Sequence, residues 1–301
     1  VIRKAKHYIE AGVLYLLFNA FRQFPLNIVS FFGGWMARAI GPYLKAHKIA
    51  HKNLSQAFPN LSKKEQYKLL NKMWDNLGRV SAELAHLSKS NSANELILKR
   101  IKITGAENLP IHGKPAFMFS GHVGNWELLA PVAKAHNRPI TAVYREANNK
   151  IVDNMIAKIR AKHCFNLIPK GQQGSVKIVR AIKNNEAIAM LVDQKMNDGI
   201  SVPFFGRPAM TAPAIAQLAL RYDAPIIPAR VIRTTGKKGW GKKGWGAHFE
   251  AIIYPPLEYK KTGNMEKDVQ NIMLAINQIL EGWIREYPEQ WFWVHKRWPK
   301  A

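Results

Sequence analysis

The segment Gly121-His122-Val123-Gly124-Asn125-Trp126-Glu127 carries an imidazole and a carboxylate five residues apart. An apolar run, Pro115 to Ser120, leads into it, and a helix-like run, Leu128 to Ala135, follows. A strand that delivers a His to a loop, with a carboxylate where a helix begins, suits general base chemistry: the carboxylate fixes one ring N–H and stabilises imidazolium as the other nitrogen takes a proton. The proton would come from a hydroxyl. A serine hydrolase would show a Gly-x-Ser-x-Gly elbow, which the chain lacks, and Ser120 is badly placed for so sharp a turn. The hydroxyl therefore belongs to a substrate. Taken alone, the motif fits equally well a His that caps the following helix.

The elements that position these residues follow from periodicity. From about Ile101 the chain alternates between strand and helix patterns, with strands expected at 115–120, 140–144, 187–192, 225–232 and 248–254. Helices are expected at 125–136, 149–162, 174–184, 211–222 and 266–286. This alternation predicts an α/β fold, a mixed sheet flanked by helices. His122, Arg145 and Asp193 then fall at strand ends, where ligands gather in open α/β sheets. Upstream, Ser62 to Glu65 reads as a capping box. Leu69, Met73, Leu77, Val80, Leu84 and Leu87 recur behind it at helical spacing, a stripe that faces a core.

Composition bounds the partners. Lys and Arg number 45 against 20 Asp and Glu, a net charge of +25 over 301 residues. Such a field attracts nucleic acid, anionic lipid or acidic proteins. No nucleic-acid recognition module with aromatics on a basic sheet is evident, so a non-catalytic RNA- or membrane-binding protein is the remote alternative. One cysteine, Cys164, excludes an intramolecular disulfide framework and suits a small buried residue. His47 and His51 are one helical turn apart without a third ligand, so they read as a helix face, and no metal is expected. Residues 11–21 and 26–40 are apolar and aromatic, interrupted by Arg22 and Pro25, and neither piece reaches the ~20 apolar residues of a spanning helix. With Arg3, Lys4, Lys6, Arg22 and Arg38 alongside, they suit helices lying in a membrane interface. Residues 1–45 are thus expected as a membrane-associating extension and 46–301 as the catalytic domain. A tandem pentapeptide, Gly236 to Trp240 and again Gly241 to Trp245, reads as a long hairpin loop that either grips an anionic surface or is a duplication in a permissive loop.

The His-x4-Glu segment resembles the signature of glycerolipid-type acyltransferases. More closely, the chain resembles the late acyltransferases of lipid A biosynthesis, the lauroyl/myristoyl transferase group. The resemblance runs from Lys48 to Pro59, through Asn76 to Glu83, Val143 to Arg145, Leu191 to Gln194 and Val202 to Ala209 with Thr211, to Pro288 to Arg297. The Val-Pro-Phe-Phe-Gly and Pro-Glu-Gln-Trp elements in this order are its more specific part. It implies transfer of a fatty acyl group from acyl carrier protein to the hydroxyl of a 3-hydroxyacyl chain on a lipid A precursor, at the cytoplasmic face of a bacterial inner membrane. Another glycolipid or a lysophospholipid is the alternative acceptor. No cofactor is implied, because the thioester is already activated. By match to the motif, His122 would be the base and Glu127 its charge partner. Asn125 and the backbone N–H groups after Gly124 would serve the oxyanion. Arg145 and Arg207 are candidates for an acceptor phosphate. Arg160 matches an Arg of the family, although the Gly that usually follows is replaced here by His163-Cys164. Asp193 is expected to orient Arg145, Arg160 or a substrate hydroxyl. Trp291, Phe292, Trp293 and Trp298 border an acyl groove or pack on the core, and Met155, Met190 and Met210 divide the same way. One basic face would serve acyl carrier protein, the precursor's phosphates and anionic inner-membrane lipid together.

Overall fold

The computed structural model describes residues 2–88, 97–234 and 246–298. The tandem pentapeptide of 236–245 lies outside the described residues. The first four helices are α1 (Ile2–Gln23), α2 (Leu26–Ile40), α3 (Lys45–Ala57) and α4 (Lys63–Leu87). The capping box starts α4: the Glu65 N–H donates to Ser62 Oγ, and the Ser62 N–H donates to the Glu65 carboxylate at 2.9 Å. Helix α2 lies against α4 at close range, because a Cβ on Gly33 would come 2.5 Å from both the Ala82 Cβ and the Gly78 carbonyl oxygen.

The remainder of the chain builds a mixed sheet with β1 (Ile101–Thr104), β2 (Ala116–Ser120), β3 (Thr141–Tyr144), β4 (Leu167–Pro169), β5 (Ala187–Leu191), β8 (Ile226–Arg233) and β9 (Phe249–Ile253). Their order is β1-β9-β8-β2-β5-β3-β4. Strands β8, β2, β5, β3 and β4 run parallel, β9 is antiparallel to β8, and β1 is parallel to β9. Helices α5 (Leu129–Ala135), α6 (Lys150–Arg160), α7 (Gln172–Lys183), α8 (Ala214–Tyr222) and α9 (Met265–Glu286) complete the fold. The expected mixed α/β sheet flanked by helices is present, and all five expected strands and helices occur within a few residues of their predicted bounds.

Several elements were not legible in advance. Strands β1 and β4 are only four and three residues long, too short for a period-2 signal. A separate hairpin pairs β6 (Lys195–Phe204) with β7 (Arg207–Thr211) through Phe205 and Gly206, both left-handed at φ 52° and 68°. That two-residue turn matches strand twist. The helix expected at 125 begins as a 3-10 turn, Trp126–Leu128, before α5.

Because side chains alternate across a strand, the sheet builds two cores. Phe117, Phe119 and Ile188 pack with α3, α7, α8 and α9 on one face. Met118 packs on the other with Leu84 and Leu87 of α4, Val132 of α5 and Ile159 of α6. Trp291, Trp293 and Trp298 are buried in the first core. There the two specific sequence elements meet. The buried Arg297 guanidinium donates to Thr211 Oγ1 at 2.9 Å and covers the Phe204 ring at 4.6 Å. The Trp298 indole donates to the Phe204 carbonyl.

Candidate active site

Parallel pairing places the chemistry. In the β2–β5 ladder Ser120 is opposite Leu191, so His122 and Asp193, each two residues beyond, leave the sheet side by side. Asp193 is fully buried. Its Oδ2 accepts the His122 backbone N–H at 2.7 Å and the Trp291 indole N–H at 2.8 Å, and its Oδ1 faces His122 Nδ1 at 2.7 Å. Burial opposes ionisation of Asp193, but the charge and hydrogen bonds of His122 outweigh it, and the carboxyl is held well below its usual range. An ionised carboxylate only accepts, so in the neutral ring Nδ1 carries the proton and Nε2 presents the lone pair. Trp126 and Phe292 flank the ring at centroid distances of 5.0 and 5.5 Å. Phe292 thus borders the imidazole, and Trp291 reaches the site through its hydrogen bond to Asp193.

The hydrogen bonds of Glu127 go to other residues, although the His122 charge also acts on its carboxyl. The Arg160 guanidinium grips its carboxylate with two hydrogen bonds, one at 2.9 Å, and the Trp126 indole donates to it at 3.1 Å. Burial works to raise Glu127, yet Arg160 overrides it and keeps the carboxyl below its ordinary value. The i to i+5 offset that suggested His122 does not decide it, because the 3-10 turn carries Glu127 toward α6. Asp193 correspondingly orients His122 itself.

The loop between them is held from behind. Gly124 has φ 62°, and a Cβ there would lie 1.9 Å from the Val231 carbonyl oxygen, so only glycine fits. The Gly124 N–H donates to the Gln290 carbonyl and the Asn125 N–H to the Val231 carbonyl, so neither serves an oxyanion. The Asn125 side chain is buried and donates to Glu83 Oε2 at 2.7 Å, away from the cavity, which removes it from the same role. Glu83 also accepts two hydrogen bonds from Arg233, at 2.7 and 2.9 Å, and one from Ser30 at 2.6 Å. Asn76 donates to the Gly124 carbonyl at 3.1 Å. The Asn76 to Glu83 sequence element is therefore the support of the His122 loop.

His122, Glu127, Arg145 and Arg160 line one cavity of about 410 Å³. Its body is apolar, with Leu84, Leu87, Met118, Ile140, Leu129 and Ile159, and small residues Ala142 and Ala189 leave the space over the sheet. Met190 lines it; Met155, Met210, Arg207 and Asn125 do not. Arg207 instead stands exposed beside the β6–β7 turn. Cys164 lines the cavity as an unreactive thiol, pushed up to about 12 by burial. Gln194, the end of the Leu191 to Gln194 element, also lines it, as does Lys170, which no sequence signal singled out. Among the described residues no cluster of His, Cys, Asp or Glu could hold a metal ion.

An α/β sheet whose strand ends hold an imidazole by a buried carboxylate, over an apolar cavity, is the layout of a ligand-binding site with a poised base. The chain belongs to the bacterial lipid A biosynthesis acyltransferase family, whose model matches residues 3–300. It is 24% identical over 298 residues to a lipid A biosynthesis acyltransferase of Haemophilus influenzae, covering 94% of this chain and 85% of that protein. It is 25% identical over 293 residues to the lipid A biosynthesis palmitoleoyltransferase of Escherichia coli, covering 95% and 88%. To the lauroyltransferase of the same organism it is 23% identical over 298 residues, covering 95% and 89%. A crystal structure of the 1-acyl-sn-glycerophosphate acyltransferase of Thermotoga maritima is a looser likeness, at 12% identity and a TM-score of 0.37 over 84% of this chain and 97% of that one.

Proposed function

We propose that the chain transfers a fatty acyl group from acyl carrier protein to a hydroxyl on the 3-hydroxyacyl chain of a lipid A precursor, with His122 as the base and Asp193 as its partner. The observation that carries this reading is the buried Asp193 carboxylate on His122 Nδ1, which leaves Nε2 as the proton acceptor beside an apolar cavity. The acceptor hydroxyl gives its proton to Nε2 as its oxygen bonds to the thioester carbon. The tetrahedral oxyanion then collapses, the carbon–sulfur bond breaks, and the departing thiolate recovers the proton from Nε2. Asp193 stabilises the imidazolium in between, as in other carboxylate–histidine pairs. The acyl chain occupies the apolar body of the cavity. Relatives named for palmitoleoyl and lauroyl transfer stand at 25% and 23% identity, so the acyl length is left to experiment.

The excess of 25 positive charges favours an acidic carrier protein and an anionic membrane surface over neutral partners. Among the described residues no helix is long and apolar enough to cross a membrane. Exposed Tyr8, Ile9, Leu16, Phe32, Trp35 and Tyr43 on and beside α1 and α2 favour attachment in the interface, here the cytoplasmic face of the inner membrane.

The test is transfer from acyl carrier protein thioesters to a lipid A precursor by His122→Ala and Asp193→Asn proteins. Turnover should fall on the order of 10³-fold or more in both, with the fold retained. Near-normal turnover in Asp193→Asn would remove the dyad, and acylation of a lysophospholipid alone would overturn the acceptor.

A further inference from the structure

A second cavity, of about 290 Å³, lies between α1, α2 and α4 and shares no lining residue with the first. Its walls include Leu17 and Phe21 of α1, Met36 and Ile40 of α2, and Trp74 and Ser81 of α4. Only Ser81 and Trp74 among the lining side chains carry a hydrogen-bond donor, and both are satisfied. The Ser81 hydroxyl donates to the Leu77 carbonyl at 2.9 Å, and the Trp74 indole donates to His47 Nδ1 at 3.0 Å. No side chain of the wall is left to hold water or a polar ligand, so the space suits hydrocarbon. An apolar cavity of about 150 Å³ already stays dry and binds benzene. Nor can the helices close on it, because α2 and α4 already meet backbone to backbone: a Cβ on Gly78 would lie 2.1 Å from the Gly33 carbonyl oxygen.

The mouth opens on the exposed apolar face of the N-terminal helices. Ile40 and Leu44 line the cavity and are nonetheless 53% and 46% exposed, and Tyr43, next to Leu44, is 89% exposed. On α1, exposed Leu16 adjoins Leu17 of the wall. Charge at this end has one sign. Lys45 directly follows Leu44, Lys48 lies one turn further, both are exposed, and α3 carries no acidic residue. Asp75, next to Trp74 on α4, is already held by Arg38 and by Arg79, the latter at 2.6 Å. Residues 1–45 hold Arg3, Lys4, Lys6, Arg22, Arg38 and Lys45 against Glu10 alone. A dry apolar cavity that opens beside lysines matches a molecule with a hydrocarbon tail and an anionic head.

We propose that this cavity is a socket for one acyl tail of an anionic membrane phospholipid, whose headgroup stands by Lys45 and Lys48. The lipid is a resident of the N-terminal helices: it ties α1 and α2 to the leaflet, while the catalytic cavity keeps the chain that is transferred. The inference deepens the interfacial attachment proposed above and rests on it for the source of the lipid.

Two measurements on the full chain test it. First, dioctanoyl phosphatidylglycerol is titrated as monomers, below its micellar concentration, into the wild type, Ser81→Phe, Lys45→Gln with Lys48→Gln, and the Tyr8→Ser control. The wild type should bind one lipid per chain, and Ser81→Phe, whose ring fills the socket, at least tenfold more weakly. The lysine variant should bind severalfold more weakly and the control like the wild type. Equal binding by Ser81→Phe overturns the socket, and equal binding by the lysine variant overturns the headgroup position. Thermal melts check folding, which a ring placed in an open cavity should leave intact. Second, vesicles containing phosphatidylglycerol with a diazirine near the tail end are photolysed with the wild type and Ser81→Phe. Crosslinks should fall on residues 36–41 and 74–82 in the wild type and be lost in Ser81→Phe, with both proteins sedimenting equally with the vesicles. Crosslinks confined to the outer face overturn the socket and leave the interfacial reading standing. A wild-type dimer that the lipid does not dissociate but Ser81→Phe does gives the cavity to a second copy and also overturns it. If neither protein sediments with vesicles, the interfacial reading fails, and the monomer titration still decides the socket.

Discussion

At the residue scale, the site rests on one carboxylate with several donors. Asp193 accepts from the backbone and ring of His122 and from Trp291, so it fixes the tautomer and the position of the base together. Behind it, His295 is half-buried between the carbonyls of Asp193 and Phe292, at 3.1 and 2.6 Å. Burial lowers its pKa to about 4. An unfolded histidine titrates near ~6.5. Between those values the unfolded chain takes up a proton that the folded ring refuses, so stability present above about pH 6.5 is lost as pH falls toward 4. The stability difference between wild type and His295→Gln, from urea unfolding at several pH values, should shift by roughly 3 kcal/mol against the wild type between pH 7 and 4. A difference that stays constant with pH would show that His295 does not titrate this way.

At the element scale, the Glu127–Arg160 pair ties the turn after His122 to the end of α6 and closes one side of the cavity. The carboxylate side chain is 10% exposed and the guanidinium 27%, so truncating either leaves a mostly buried charge without its partner. Glu127→Ala and Arg160→Ala should each cost on the order of 2–4 kcal/mol in denaturant unfolding. Their double variant should cost less than the sum by roughly 1–3 kcal/mol. Strict additivity would mean that the pair does not brace the cavity wall. A second brace runs from the N-terminal helices: Ser30 of α2 and Asn125 of the His122 loop meet on the same Glu83 carboxylate. Whatever holds α2 thereby also holds the loop.

At the scale of the whole molecule, one sign of charge and one apolar end act together. Lys4, Lys6 and Lys45 accompany exposed Tyr8, Leu16, Trp35 and Tyr43 in the first 45 residues. Each basic residue near an anionic surface contributes about 1 kcal/mol, and salt screens that contribution. In vesicle sedimentation the protein should bind anionic lipid at least tenfold more tightly than zwitterionic lipid at low salt. The preference should shrink in about 0.5 M salt, and Phe32→Ser with Trp35→Ser should weaken binding to both kinds of vesicle. Partition into neither kind at low salt would defeat the interfacial reading.

The sequence by itself determined the alternation of strands and helices, the capped α4, and the placement of His122, Arg145 and Asp193 at strand ends. These features are local: apolar period, capping residues and turn residues lie within a few positions of one another. It did not determine which strand ends are neighbours. Asp193 stands 71 residues from His122 and meets it only because β2 pairs with β5. Lys170 joins Arg145 only because β4 pairs with β3. Glu127, close to His122 in the chain, was turned toward Arg160 by a 3-10 turn that periodicity does not reveal. Proximity along the chain suggested one partner for the imidazole, and the pairing order of the sheet supplied another, because side-chain hydrogen bonds depend on distance in space.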